Sequence, residues 1–211
     1  MRPRASVLTA LLLAAAVCAR AAAPVVAVDA GHGGNDRGQM LRGVVEAQLS
    51  LVYARRAQAA LKADGLMPYL TRWKDSYVAL TDRVLRAEQV GARVFVSFHA
   101  DNSRRSGRGV VVWVYGHNKR VPKGPKRQPG ERILPPPPPA QVAASRRLAE
   151  LIQRELRRRG VKVTSYADRG AFAVLKGPRM ASVLLEVGNL HDKREARLIQ
   201  RPAYQAKVVA A

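Results

Sequence analysis

Val25-Val26-Ala27-Val28-Asp29-Ala30-Gly31-His32-Gly33-Gly34 decides the fold. A mostly β-branched run without polar alternation reads as a strand covered on both faces, as in a parallel sheet. It breaks at Asp29 into a turn with three glycines and one histidine, so His32 stands just past the C-terminal end of the strand. Open α/β sheets gather their ligands at that edge. The glycines admit a close approach that a Cβ would block, and the imidazole becomes a candidate for a metal or a substrate. Taken alone, the turn favours a plainer reading, a histidine that is merely exposed.

The same architecture recurs at 93–102, RVFVSFHADN, where a buried β run ends in His99 and then polar residues. A third run, 181–189, ASVLLEVGN, carries Glu186 near its end. A carboxylate there is costly unless it is paired with an arginine, bound to metal, protonated or at the wet rim. Two histidines delivered by separate strands to one kind of edge point to a shared site. His117, in a basic and proline-rich neighbourhood, reads as a solvated loop residue, and His191 as surface or beside the site.

Helical patterns fill the gaps between these runs. From Val45 the apolar positions Leu49, Val52, Tyr53, Ala57, Ala60 and Leu61 recur at three and four, and Gly65 stops them. Glu46 falls in the first turn, where a carboxylate either complements the helix dipole or, if the preceding loop 35–43 brings it near His32, joins the site. Residues 67–71 read as a short strand, 72–76 as a loop, 77–90 as a helix, 109–116 as a strand and 161–163 as another short strand. Residues 141–159 form an amphipathic helix with Val142, Leu148, Leu151, Ile152 and Leu156 inward and many arginines outward, and 171–175 leads into a Lys176-Gly177-Pro178 turn. The alternation predicts a single α/β domain: a mixed or mostly parallel sheet flanked by helices, with the site at the C-terminal edge of the strands.

The 211 residues suit one domain, placed at 24–211. Residues 1–21 read as a signal peptide: Arg2 and Arg4 lead an apolar run from 5 to 17, followed by an Ala19-Arg20-Ala21 cleavage pattern. The run is shorter than the roughly 20 residues a membrane span needs. An exported protein is expected, in the periplasm, envelope or outside the cell. The only cysteine, Cys18, lies in that leader, so the mature chain can form no disulfide. The formal charge is +22, and losing Arg2, Arg4 and Arg20 still leaves +19. Such an imbalance attracts polyanions, which for an exported chain means anionic envelope polymers or lipid headgroups rather than nucleic acid. Residues 118–139 hold eight of the 13 prolines among lysines and arginines. The proline run predicts a stiff polyproline II segment, most simply a solvated excursion, with a docking arm or a flap as alternatives.

With these groups in view, the chain resembles the zinc-dependent N-acetylmuramoyl-L-alanine amidases, amidase type 3. The matching blocks are VDAGHGGNDRG at 28–38, Gly43 with Glu46, YLTR at 69–72, LTDR at 80–83, VFVSFHAD at 94–101 and VLLEVGNL at 183–190. The resemblance implies Zn2+ held by His32, Glu46 and His99, with Glu186 as the catalytic carboxylate. It implies peptidoglycan as substrate, cut between N-acetylmuramic acid and L-alanine in cell wall remodelling or daughter-cell separation. Two histidines and a glutamate leave a zinc position open for water, which makes that chemistry coherent. Ala47, Asn189 and His191-Asp192 depart from the family pattern, which bears on substrate contacts and removes no ligand. Members that separate daughter cells carry a blocking helix near 116–140 that an activator protein moves; here the proline-rich composition predicts an accessible site instead. Two rivals stand beside this reading, a catalytically silent envelope-binding protein on the same scaffold and a zinc exopeptidase.

Overall fold

A computed structural model describes residues 22–101, 108–116, 132–163, 168–177 and 179–211. The leader 1–21, His117 and residues 118–131 of the insertion lie outside the described residues. Six strands form the main sheet: β1 (Val25–Ala30), β4 (Met67–Leu70), β5 (Val94–Asp101), β6 (Val111–Tyr115), β7 (Asp168–Gly170) and β8 (Ala181–Asn189), in the order β4-β1-β5-β8-β6-β7. β4, β1, β5 and β8 run parallel, whereas β6 is antiparallel to β8 and parallel to β7. The sheet is therefore mostly parallel, with β1, β5 and β8 ending at one edge.

Strand residues alternate between two cores, as a period of two requires. Val26, Val28 and Ala30 of β1, Phe98 of β5 and Val183, Leu185 and Val187 of β8 face one layer of helices. That layer contains α1 (Glu46–Ala63) and α3 (Pro139–Arg158), closed by α4 (Lys193–Leu198) and α5 (Pro202–Val209). Ala27, Phe95 and Leu184 face the other side, against Val84 and Ala87 of α2 (Leu80–Gln89) and a 3-10 turn at Ala173–Leu175. Tyr53 of α1 is fully buried, stacks on Phe98 at 5.8 Å and donates its hydroxyl to the Ile199 carbonyl at 2.9 Å. Among the described residues no helix is long and apolar enough to cross a membrane.

Several expectations shift. The 35–43 stretch is not a plain loop: β2 (Met40–Leu41) and β3 (Val44–Val45) make a hairpin that leads directly into Glu46. The expected helix at 77–90 starts at Leu80, and 161–163 contributes only a Val110–Val163 bridge. Val52 and Leu151 point outward, at 41% and 48% exposure. Leu151 lies two residues, about 200° of helical turn, from the buried Ala149, so it falls on the far side of α3. The proline-rich segment is not wholly a solvated excursion. Pro137 is buried, Leu134 packs against the apolar cluster that includes Tyr115 and Val174, and Lys176 Nζ donates to the Leu134 carbonyl at 3.0 Å. Pro139 then opens α3, where a proline forfeits no helical hydrogen bond.

Candidate metal centre

His32, Glu46 and His99 meet at the C-terminal strand edge, with one donor atom from each lying within 4.8 Å of the others. His32 Nε2 and His99 Nδ1 both stand 3.0 Å from Glu46 Oε1. Their rings cross edge to face at a centroid separation of 4.8 Å. Ligand atoms on a tetrahedral zinc with bonds of about 2.0–2.1 Å lie about 3.3 Å apart, so this triad fits such an ion in both spacing and donor type.

Each donor is oriented by a different device. Glu46 is the first residue of α1, delivered by the β2–β3 hairpin, and is 4% exposed. Its Oε2 accepts from the Gln39 backbone N–H at 2.9 Å and its Oε1 from that of Ala100 at 3.2 Å. Burial would raise the Glu46 carboxyl, but the hydrogen bonds from His32 and His99 outweigh it and hold the group well below the usual carboxylate range. His32 has a positive φ of 60°, which few side chains adopt. Its Nδ1 lies 2.9 Å from both oxygens of Asp36. A carboxylate only accepts, so Nδ1 carries the proton and Nε2 faces the cluster. Burial alone would lower the His32 pKa; the bonds to Glu46 and Asp36 raise it above the ordinary value.

Two glycines make room for the donors. A Cβ on Gly31 would come 2.3 Å from Cε1 of His99, and one on Gly38 would come 2.7 Å from both Glu46 Oε2 and His32 Cδ2. Gly33 and Gly34 serve a different purpose, since a Cβ there would meet the backbone at Ser76 and Tyr77.

Glu186 of β8 pairs in register with His99 on the neighbouring strand. Registered residues of parallel neighbours point to the same face with backbones about 4.8 Å apart, so Glu186 and His99 are presented side by side. The site residues drawn from the sequence are thus on one edge: His32, Glu46 and His99 in contact, Glu186 next to them. His191 lies beyond β8 and its carbonyl accepts from Arg42 of the hairpin at 3.1 Å.

The sequence left three supporting residues unremarked. Asp36 is one. The others are Arg72 and Arg83, 2% and 1% exposed, whose guanidiniums lie under the His32 turn. Arg83 Nη1 donates to the buried Asp29 at 2.9 Å, and Asp29 also accepts from Ser97 and Thr71. Burial would raise the Asp29 carboxyl, but Arg83 and the two hydroxyls bring it below its ordinary value. Both arginines stand in the blocks YLTR and LTDR, but nothing in those blocks marks them as buried.

A mostly parallel sheet that presents two imidazoles and a carboxylate close enough to hold one ion defines an α/β protein with a candidate metal centre at its strand edge. Comparison with known proteins narrows this class. The family described as N-acetylmuramoyl-L-alanine amidase matches residues 26–211, and the chain belongs to that family. It is 31% identical to YqiI of Bacillus subtilis strain 168, an uncharacterized protein, over 99% of this chain and 92% of YqiI. It is 30% identical to the N-acetylmuramoyl-L-alanine amidase LytC of the same organism over 87% of this chain, which spans only 33% of LytC. Among solved structures, the amidase of Clostridium difficile 630 superposes with a TM-score of 0.72 at 24% identity, covering 89% of this chain and 91% of that one. The catalytic domain of CwlV from Bacillus (Paenibacillus) polymyxa var. colistinus reaches 0.66 at 26% identity, covering 88% and 92%.

Proposed function

We propose that the chain is a secreted zinc hydrolase that cleaves the amide between N-acetylmuramic acid and L-alanine in peptidoglycan, in wall remodelling or daughter-cell separation. The observation that carries this reading is the convergence of His32, Glu46 and His99 at one strand edge, with Glu186 in register beside His99. Zinc bound by the first three would polarise the scissile carbonyl and bring the pKa of a water toward neutrality. Glu186 is the proton carrier. It takes a proton from the water as oxygen attacks the lactyl carbonyl carbon, and passes it to the alanine nitrogen as the C–N bond breaks. The products are a free lactyl carboxyl on the glycan and a stem peptide with a free amine. Asp36 keeps the Nδ1 proton on His32, which holds the ring's tautomer and orientation.

Arg146, Arg147, Arg154, Arg157, Arg158 and Arg159 are exposed on or just beyond α3 and support binding to anionic envelope polymers. If raising salt leaves cosedimentation with purified peptidoglycan unchanged, that electrostatic part is wrong. The central experiment digests purified sacculi with wild type and with Glu186→Ala, weighing the products and the bound zinc. Wild type should release intact stem peptides from unbroken glycan, and the variant should keep its zinc while losing about 100- to 10,000-fold in rate. Products cut within the peptide would favour a zinc exopeptidase, and zinc-free wild type without turnover would favour a silent binding protein.

A further inference from the structure

Two buried arginines lie under the His32 turn, and arginine is almost never fully buried unless it is paired. Arg83 has Asp29. Arg72 spends its donors on backbone carbonyls and a hydroxyl: Nε on Ala30 at 2.9 Å, Nη1 on Lys74 at 3.1 Å, and Nη2 on Gly31 at 2.8 Å, Ala47 at 2.6 Å and Ser50 Oγ at 3.2 Å. Gly31 adjoins His32 and Ala47 adjoins Glu46, so one nitrogen ties together the two segments that carry those donors. Arg83 acts from the other side. Its Nη1 reaches Ala30 O at 2.6 Å, its Nη2 reaches His32 O at 2.7 Å, and its Nε reaches Val78 O at 2.9 Å. Ser50 Oγ adds a bond to Gly31 O at 2.8 Å.

We propose that Arg72 and Arg83 are positioning residues that set the spacing between His32 and Glu46, holding the turn at its positive-φ conformation so that the two donors stand 3.0 Å apart, close enough to share one ion. The planar fork suits this, since several N–H groups in one plane can hold carbonyls from two segments at once. Lysine, a point charge on a flexible stem, cannot. His99 lies outside the clamp, because it sits within β5, paired in register with Glu186 of β8. The claim rests on the metal reading above and asks how firmly that metal is held.

The test measures zinc affinity by chelator competition, and the visible absorption of the cobalt-loaded protein, for wild type, Arg72→Lys, Arg72→Met, Ser50→Ala and Leu156→Ala. Leu156 is fully buried in α3, away from the cluster, and serves as a control that loses stability without touching the clamp. Both Arg72 variants should bind zinc about 10- to 100-fold more weakly and change the cobalt spectrum at temperatures where circular dichroism shows them folded. Ser50→Ala, the mild version, should weaken binding by a few fold and keeps the test informative if the arginine variants fail to fold. Leu156→Ala should lower the melting temperature and leave affinity and spectrum alone. Unchanged affinity in Arg72→Lys, Arg72→Met and Ser50→Ala, or an equal loss in Leu156→Ala, would overturn the clamp. Wild type that binds no metal would overturn the metal reading itself, a separate result.

Discussion

The two histidines of the centre are held by opposite means. His99 is placed by the sheet: it lies inside β5, in register with Glu186 on β8, and Gly31 leaves room for its ring. His32 lies beyond the end of β1, at positive φ, and is placed by the hydrogen bond its Nδ1 donates to Asp36 and by arginines from two other segments that donate to the Gly31 and His32 carbonyls. A donor inside a ladder shares the sheet's rigidity, and moving it requires breaking strand pairing. A donor on a turn can be placed more freely, but each degree of freedom must be removed by a specific partner. The centre therefore has one firm side and one side that is only as firm as its polar network.

The largest effect that bears on this contrast is expected at the base of the network. Asp29→Ala leaves Arg83 buried without its carboxylate and should cost about 3–5 kcal/mol in urea unfolding. The sign of the pH effect follows from Asp29's lowered pKa. A carboxyl with a depressed folded-state pKa contributes stability that is present above its unfolded value and is lost as pH falls through the folded one. Wild type should therefore lose stability in acid below the ordinary aspartate pKa of 3.8, a loss that Asp29→Ala lacks. Next comes Gly31→Ala, which sits in the His32 turn yet would drive its methyl into His99; a misplacement of an ångström can cost about 100-fold in kcat. Retained activity would mean that the strand side yields more readily than the contrast allows. Asp36→Ala touches the turn side alone and should weaken zinc binding about 10- to 100-fold with little change in melting temperature. The smallest effect belongs to Asp82→Ala, whose partner Arg86 lies 3.7 Å away on the exposed face of α2; it should cost under about 0.5 kcal/mol. A larger cost there would show that surface pairs, too, support the turn.

The firm side is also the legible side. β1, β5 and β8 stand out in the sequence because strands buried on both faces are continuous apolar runs, and a polar residue ending each run marks the strand edge. His99 and Glu186 are readable for that reason. The helices α1, α2 and α3 follow from their three-and-four spacing, although Val52 and Leu151 show that an apolar residue can fall outside the buried stripe. The turn side is harder to read. The β2–β3 hairpin hides because its strands are two residues long and its tight turn is Arg42-Gly43, both at positive φ, where asparagine or aspartate before the glycine would have announced it. β7, Asp168-Arg169-Gly170, has no apolar residue to mark it. Arg72 looks like the start of a solvated loop because composition places arginine outside, and only the three-dimensional convergence of carbonyls explains its burial. The glycines were legible as a group, but their division of labour was not. Gly31 and Gly38 border the donors, whereas Gly33 and Gly34 let the turn lie against residues 76 and 77.

The register between His99 and Glu186 also governs when the centre comes into being. β8 sits in the middle of the sheet, between β5 and β6, yet it is the last strand along the chain. Its insertion needs long-range pairing, and such contacts form only after the loop-closure entropy of the intervening chain has been met. A chain that has folded β1, β4 and β5 can bring His32, Glu46 and His99 near one another, but it lacks the carboxylate beside them. Insertion of β8 and completion of the proposed catalytic set are one event, so a chain without β8 in place would lack the proposed proton carrier.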